Sequence, residues 1–206
     1  MTVRRLPSSV GLDEVINKVS SPEVGAVITC SFGEERIVVA TGHREEAWSL
    51  LRQASSQRTE AVDGSIRNGA APETGSRNPP IIALVEGPVP HWYVAETQAC
   101  TVTFTGLVRN DRLASGQVVS ALVYESYAAM ALRYMRRLAA EHHLGIFIHT
   151  GSGAVPVGSI SVHVAGPTVH DVQTAVEALK RSVPIWKQDL ATLSIATPLK
   201  QPPSSP

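Results

Sequence analysis

The chain has 206 residues, 43% of them hydrophobic, which suits one globular domain with a buried core. Its 18 basic residues balance 18 acidic ones, so no overall charge attracts nucleic acid or an anionic membrane, and any anion site has to be local. No window approaches the length of an apolar membrane span and no signal peptide is evident, so we expect a cytoplasmic protein without nucleic-acid or membrane partners.

The first predicted elements are a short helix and a strand. Apolar residues recur at helical spacing in residues 12–19, and Pro22 leads into a strand at residues 25–32. Cys30 in this strand and the distant Cys100 share no metal-ligand or redox spacing. The two cysteines therefore argue against a structural zinc site and a secreted disulfide framework, and we expect two buried thiols.

The next segment predicts a strand, a turn and a helix. Residues 36–40 are rich in strand formers, residues 45–53 fit a helix, and the turn between them contains His43 and Arg44. Residues 54–80 are rich in Ser, Gly, Asn and Pro and have no apolar periodicity. This composition predicts a mobile loop.

The second half begins with three predicted strands and one long helix. The strands lie at residues 81–86, 101–108 and 118–125, and the last two form a predicted hairpin with Arg109 in its turn. A strongly periodic helix follows at residues 128–142. Its predicted inward-facing residues are Met130, Leu132, Met135 and Leu138.

Two further strands, at residues 144–149 and 159–164, flank the glycine-rich segment 151–158. No Gly-Lys-Ser/Thr motif follows this segment and no helix begins there, so a plain hairpin loop is favoured over a phosphate cradle. The proline-rich tail after residue 195 is not expected to become ordered.

An amphipathic helix and a proline stop follow each other in residues 168–189. Thr168 or Asp171 can cap the start of the helix, and Pro184 prevents its continuation. The apolar stripe of this helix consists of Val172, Val176 and Leu179.

Two lysines, Lys180 and Lys187, stand on either side of this stop. The apolar pair before Lys187 is expected to direct its side chain back towards Lys180. Two ammonium groups against apolar walls favour the neutral, nucleophilic form of a lysine and attract an anionic ligand. The alternative is that both lysines merely complement the helix dipole.

Three signatures resemble the large, catalytic subunit of molybdopterin synthase. They are TFTGLVRN at residues 103–110, YESYAAMA at residues 124–131, and Lys180 followed by VPIWK. They occur in the order of that family and extend the resemblance over residues 104–189. The resemblance implies an α+β fold of the α/β-hammerhead type, with a mostly antiparallel sheet and two main helices on one face.

The first half departs from the resemblance, because residues 25–32 and 101–106 are both candidates for the first strand of the family. We therefore divide the chain into four predicted parts. They are a family-like helix and strand (1–30), an insertion or partial duplication (31–99), a core domain (100–190) and a flexible tail (191–206). The strand–His–Arg–helix element in the second part is similar to a late element of the family that contacts substrate. Partial duplication and chance similarity both explain it.

The resemblance also implies a reaction and partners. The reaction is sulfur transfer to cyclic pyranopterin monophosphate, which forms the dithiolene of molybdopterin. The donor is the thiocarboxylated C-terminal glycine of a small ubiquitin-like subunit, and two large subunits form a homodimer within a heterotetramer. Neither a metal nor another cofactor is implied. The competing hypothesis is a non-catalytic homologue that scaffolds or binds a ubiquitin-like sulfur carrier.

The same resemblance assigns roles to individual residues. Lys180 is the principal catalytic lysine, and Lys187 holds the substrate phosphate or stabilises charge. Arg109 matches an arginine suited to bidentate phosphate binding, and His170 matches a substrate-contacting histidine contributed across the dimer. The remaining predicted substrate-binding residues are Phe104, Val176, Gln188 and Asp189.

This chain differs from the family at several of these positions. Asp171 and Thr150 stand where the family has arginines, Gln188 and Asp189 replace a Lys-Glu pair, and the helix before Lys180 is shorter. These differences weaken the cationic surface. The favoured hypothesis is that Arg44 is a solvent-exposed residue at the start of its helix and that the ligand binds weakly. The alternative is that Arg44 compensates for these differences by entering the pocket.

Overall fold

The computed structural model describes residues 1–32, 34–59, 80–91 and 101–192. Its elements follow in the order β1 Thr2–Pro7, α1 Leu12–Val19, β2 Ala26–Phe32, β3 Glu35–Thr41, α2 Arg44–Thr59, β4 Ile81–Glu86, β5 Val102–Leu107, β6 Val118–Ser126, α3 Ala128–Glu141, β7 Ile146–Pro156, β8 Ile160–Gly166, α4 Val169–Ser182 and β9 Ile185–Thr192. None of the helices described in these ranges is long and apolar enough to span a membrane.

The described strands form one sheet in the order β1-β3-β2-β5-β8-β7-β6-β9, with β4 beside β7. The neighbours along this order are antiparallel, and the β4–β7 pair is parallel. The predicted α+β class with a mostly antiparallel sheet is therefore confirmed. Because β2 lies between β3 and β5, the strands of the first half extend the same sheet. The predicted division of the chain into four parts stays a prediction.

The two faces of the sheet are covered by different helices. Strand side chains alternate between faces, and Ala26 and Ile28 of β2 pack in one cluster with α2, α3 and α4. Val27 between them packs in a second cluster with α1. The two predicted main helices, α3 and α4, therefore share one face. Helix α2 joins them there, and α1 covers the other face.

The predicted hairpin of residues 101–108 and 118–125 is wrong. Strand β5 pairs with β2 and β8, whereas β6 pairs with β7 and β9. Each residue of β5 is buried, so both edges of this strand need partners and its central place in the sheet provides them. The connection that leaves β5 carries Arg109 out of the sheet instead of turning back into β6.

The glycine-rich segment joins two strands that pair as a hairpin, as predicted, but most of the segment is itself strand and not loop. Strand β7 runs through it, pairing with β8 before the glycines and with β6 after them. At Gly153 the backbone has φ +84°, and an added Cβ would lie 3.2 Å from the backbone nitrogen of Gly87. Glycine is needed there because the backbone has a conformation that residues with a side chain rarely adopt, at the point where the strand changes neighbours.

Two smaller expectations also change. Met130 is 51% exposed, and the buried residues of α3 are Ala131, Met135, Leu138 and Ala139. The predicted loop 54–80 begins as helix, because α2 continues to Thr59. Residues 60–79, Cys100 and the tail after residue 192 lie outside the described residues. Cys30 is a buried free thiol, and burial raises its pKa to about 11.

Candidate functional site

An open pocket of about 500 Å³ lies where β5, β6 and β9 meet the start of α2 and the end of α4. It contains four of the residues singled out for chemistry, Arg44, Arg109, Lys180 and Lys187. Phe104, Val176 and Asp189 from the predicted binding set also line it.

Helix α4 presents Lys180 to the pocket. Thr168 caps this helix, since its hydroxyl oxygen accepts a hydrogen bond from the backbone nitrogen of Asp171 at 3.1 Å. Val176 and Lys180 are four residues apart, so they lie on the same helix face, and both line the pocket. The helix ends before Pro184, because the preceding Val183 adopts the extended backbone that proline imposes.

Strand β9 returns Lys187 to the same pocket. Its cross-strand partner is Tyr124 of β6, and Asp189 is opposite Leu122. Cross-strand partners share a face, and these four residues line the pocket together. Gln188 alternates to the other face of β9 and does not line the pocket.

The electrostatic environment of Lys180 favours its free amine. Neither Lys180 nor Lys187 forms an ion pair with any other residue that the structure describes. The pKa of Lys180 lies below its ordinary value because the pocket walls desolvate the ammonium group and because Arg44 and Lys187 repel it. The Glu45 carboxylate opposes this shift. The lowered pKa increases the fraction of Lys180 that carries a free amine.

Arg109 is held at the exit of β5 by contacts on two sides. Its Nη1 donates to the carbonyl oxygen of Gly42 at 2.5 Å and lies 3.2 Å from the His43 ring. Its Nε and Nη2 reach the two carboxylate oxygens of Asp111 at 2.6 and 3.0 Å. A Cβ at Gly25 would lie 2.5 Å from the Gly42 carbonyl oxygen, so the absence of a side chain there permits this arrangement.

Arg44 lines the pocket and is not the solvent-exposed residue of the favoured hypothesis. Its side chain is 17% exposed, and its Nη2 lies 2.7 Å from the Oε1 of Glu45, whose side chain is 75% exposed. Its Nη1 is buried and has no hydrogen-bond acceptor among the described residues. Arg44 therefore stands at the pocket, and its role in binding a ligand stays a prediction.

Contacts between aromatic rings hold the walls of the pocket in place. Phe104 stacks on the buried Trp48 of α2, with ring centroids 6.0 Å apart. Tyr124 meets His149 edge to face at 5.5 Å. Burial lowers the pKa of His149 to about 4, and the positive charge of Lys187 contributes to this shift. His149 is therefore neutral at pH 7, and its Nδ1 lies 2.6 Å from the carbonyl oxygen of Thr150.

His170 and Asp171 lie outside this pocket in their own chain. His170 is exposed in the first turn of α4. The Asp171 carboxylate accepts a hydrogen bond from the Thr168 hydroxyl at 2.5 Å and lies 3.9 Å from the His142 ring. Asp171 therefore does not place a negative charge in this pocket. The roles assigned to His170 and Gln188 stay predictions.

Several residues that line or support the pocket were not predicted from the sequence. Among them are Glu45, Asp111, Tyr124 and Trp48. Tyr124 stands inside the YESYAAMA signature, which was a usable signal, whereas no local pattern distinguished Trp48 from any buried helix residue. No group of three or more His, Cys, Asp or Glu side chains in the described residues has the arrangement of a metal site.

Comparisons with known proteins identify the family of this chain. The family model described as MoaE protein matches residues 86–188, half of the 206-residue chain. The molybdopterin synthase catalytic subunit 1 of Aedes aegypti is 36% identical over an alignment of 100 residues that covers 42% of this chain and 62% of the relative. The molybdopterin synthase catalytic subunit of Arabidopsis thaliana is 34% identical over an alignment of 112 residues that covers 48% of this chain and 56% of the relative.

The match thus spans less than two thirds of the length of these two relatives. Among solved structures, molybdopterin synthase from Staphylococcus aureus aligns with a TM-score of 0.41 and 22% identity, over 58% of this chain and 94% of the other. The matched range contains Phe104, Arg109, Lys180 and Lys187 of the pocket. On the extent of the family match, this chain belongs to the MoaE protein family.

Proposed function

We propose that this protein is the catalytic subunit of a molybdopterin synthase and acts in molybdenum cofactor biosynthesis. The reaction is sulfur transfer to cyclic pyranopterin monophosphate from the thiocarboxylated end of a small ubiquitin-like subunit. The observation that carries the proposal is the meeting of Lys180, Lys187 and Arg109 in one pocket of a MoaE family member. Its curated relatives are named as catalytic subunits of this enzyme.

The proposed chemistry needs charge and proton control, and the chain offers both. In each transfer a carbon–sulfur bond replaces a carbon–oxygen bond of the precursor, and water then cleaves the acyl–sulfur bond, which leaves a carboxylate on the small subunit. Lys180, whose lowered pKa favours the free amine, accepts a proton from the water that attacks the acyl carbonyl, or in its protonated form gives a proton to the departing oxygen. Lys187 and Arg109 hold the phosphate.

The apolar and cationic parts of the pocket are expected to bind different parts of the ligand. Phe104 and Val176 supply walls against which a flat ring can pack, while the lysines attract the phosphate and the thiocarboxylate. The small partner is expected to deliver its extended C-terminus into the open side of the pocket. We expect this step in the cytoplasm.

The experiment that tests the proposal is conversion of the pterin precursor to molybdopterin by the purified chain and a thiocarboxylated small subunit. Product formation that depends on both proteins is the expected result. A chain that binds the small subunit without forming product would support the competing role as a scaffold. The three cations brought together in one formed pocket favour catalysis over that role.

Replacing Lys187 by alanine is expected to weaken precursor binding more than it slows the chemical step. Lys187 lies on the strand that faces the ligand and has no described ion-pair partner, so its ammonium group is available to the phosphate. Losing one charge-assisted contact should raise KM about tenfold or more. Steady-state kinetics with the precursor measure this change, and an unchanged KM would contradict the assigned role.

The second prediction under this proposal concerns assembly. We expect a homodimer that forms a heterotetramer after the small subunit is added. In one copy His170 is exposed and outside the pocket, so it could contact substrate only in the pocket of another copy. Light scattering with and without the small subunit measures the assembly, and a monomer that ignores the small subunit would contradict it.

A further inference from the structure

One wall of the pocket comes from the part of the chain that the family model does not match. The turn after β3 contributes Gly42 and His43, and the start of α2 contributes Arg44 and Glu45, all before residue 86. This wall therefore lies outside the part of the chain that matches the family. Whether it can take part in binding depends on how it packs against the matched residues.

Strand register places the turn beside the exit of β5. Ala26 of β2 pairs with Thr41 on one side and with Gly106 on the other. The residues after Thr41 and after Gly106 thus leave the sheet next to each other. As a result, the Gly42 carbonyl oxygen accepts the hydrogen bond from Arg109.

The turn is held rigidly at both ends. The Thr41 hydroxyl donates to the His43 carbonyl oxygen at 2.6 Å and accepts from the His43 backbone nitrogen at 3.1 Å. Behind the turn, Ala47, Trp48 and Leu51 of α2 are buried in the same cluster as Phe104. Arg44 is therefore fixed at the pocket by the core of the protein.

The Arg44 guanidinium is only partly satisfied. Its Nε and Nη2 donate to the Glu45 carboxylate, while Nη1 is buried without an acceptor among the described residues. Because Nη1 is buried, a ligand in the pocket can reach this guanidinium only through Nε and Nη2, where an anionic acceptor would take the place of the Glu45 carboxylate. The ion pair with Glu45 is exposed on the carboxylate side and can be exchanged at little cost.

The charges around Arg44 favour an acceptor with two negative charges. The pocket contains four basic side chains and three carboxylates, Glu45, Asp111 and Asp189. Asp111 is engaged by Arg109 and Glu45 by Arg44. Lys180 and Lys187 are left without described ion-pair partners, and Arg44 and Lys187 both lower the pKa of Lys180 by repulsion. A dianion would relieve this repulsion among neighbouring cations.

We propose that Arg44 is a ligand-binding residue for a phosphate monoester dianion, and that it acts on the pocket of its own chain. This inference rests on the proposed function, in which a cyclic phosphate diester opens. A cyclic diester carries one negative charge, and the monoester formed on opening carries up to two. Arg44, with its planar fork of donors, supplies the contact that the second charge needs.

The test uses methyl phosphate and dimethyl phosphate at pH 8 as probes of a dianion and a monoanion. Isothermal titration calorimetry should show that Arg44→Ala weakens methyl phosphate binding about tenfold or more and changes dimethyl phosphate binding little. Arg44→Lys, which keeps the charge, should restore part of the loss. The control is Arg136→Ala on the exposed side of α3, which should bind like the parent. Equal methyl phosphate affinity in Arg44→Ala and the parent would overturn the inference.

Action within one chain is tested by co-expressing Arg44→Ala and Lys187→Ala chains. If Arg44 serves its own pocket, each pocket in the mixture lacks one cation and no site of parental affinity appears. If Arg44 reached the pocket of a second copy, mixed dimers would contain intact sites, and their appearance would overturn this part of the inference. Both binding experiments are independent of turnover. Failure of the conversion assay with phosphate binding intact would reject the proposed function and leave the dianion site standing.

Discussion

Replacing Lys180 by alanine is expected to slow sulfur transfer about a thousandfold or more while leaving the fold intact. Lys180 is exposed to the pocket in the last turn of α4 and has no described ion pair, so truncation removes no structural contact of note. The substitution should lower the rate of the chemical step, because Lys187, the other lysine that lines the pocket, lies on β9 and cannot replace Lys180 beside Val176. Single-turnover conversion of the precursor measures the rate, and circular dichroism checks the fold.

The matched control for this substitution is Lys18→Ala. Lys18 is 59% exposed and pairs with Glu14 on α1, which covers the opposite face of the sheet. This variant should convert the precursor at the parental rate. A Lys180→Ala protein that also does so would remove Lys180 from the mechanism.

The pH dependence of the rate gives a second readout of Lys180. Its pKa lies below the ordinary value of 10.5, and the free amine increases as pH rises towards that lowered pKa. A step that uses the amine should therefore speed up over the same range. Lys187→Ala removes a repelling charge, so the pKa of Lys180 should increase and the rise in rate should move to higher pH.

Replacing Trp48 by alanine is expected to lower the free energy of unfolding by about 3–5 kcal/mol. Trp48 is 1% exposed and stacks on Phe104 of the pocket wall. Its removal leaves a cavity between α2 and β5 and takes away the support of Phe104. Urea denaturation followed by circular dichroism measures the loss of stability.

Trp186→Ala is the control for the Trp48 substitution. Trp186 is 54% exposed on β9, and its ring meets Tyr127, which is 68% exposed. Truncating an exposed side chain of this kind should change stability by only about 0.5 kcal/mol. A Trp48→Ala protein as stable as Trp186→Ala would show that α2, which lies outside the family match, is not part of the folding core.

The sequence by itself determined the features that depend on local pattern. Helical spacing located α1 at its observed bounds, and Pro184 located the end of α4, because proline acts on its immediate neighbours. Lys180 and Lys187 were singled out by their positions beside a helix end and a proline, and the resemblance of the surrounding signatures to a known family favoured a site role for them and for Arg109. The structure places these three residues in one pocket.

The tertiary structure alone decided which strands pair. Alternating apolar residues in β5 and β6 fit a hairpin as well as they fit two strands with other neighbours. Burial of every residue of β5 required partners on both edges, and β2 and β8 supplied them. The inward face of α3 likewise depended on close packing, which buries Ala131 and leaves Met130 exposed.

The same long-range pairing decided the position of Arg44. The sequence offered two alternatives, a pocket residue and an exposed residue at a helix start, because no local pattern relates Arg44 to Arg109 or Lys180. Pairing of β2 with both β3 and β5 brings the turn of Arg44 to the exit of β5. Strand pairing is set by hydrogen bonds and packing between residues far apart in the chain, so only the folded sheet could place this guanidinium in the pocket.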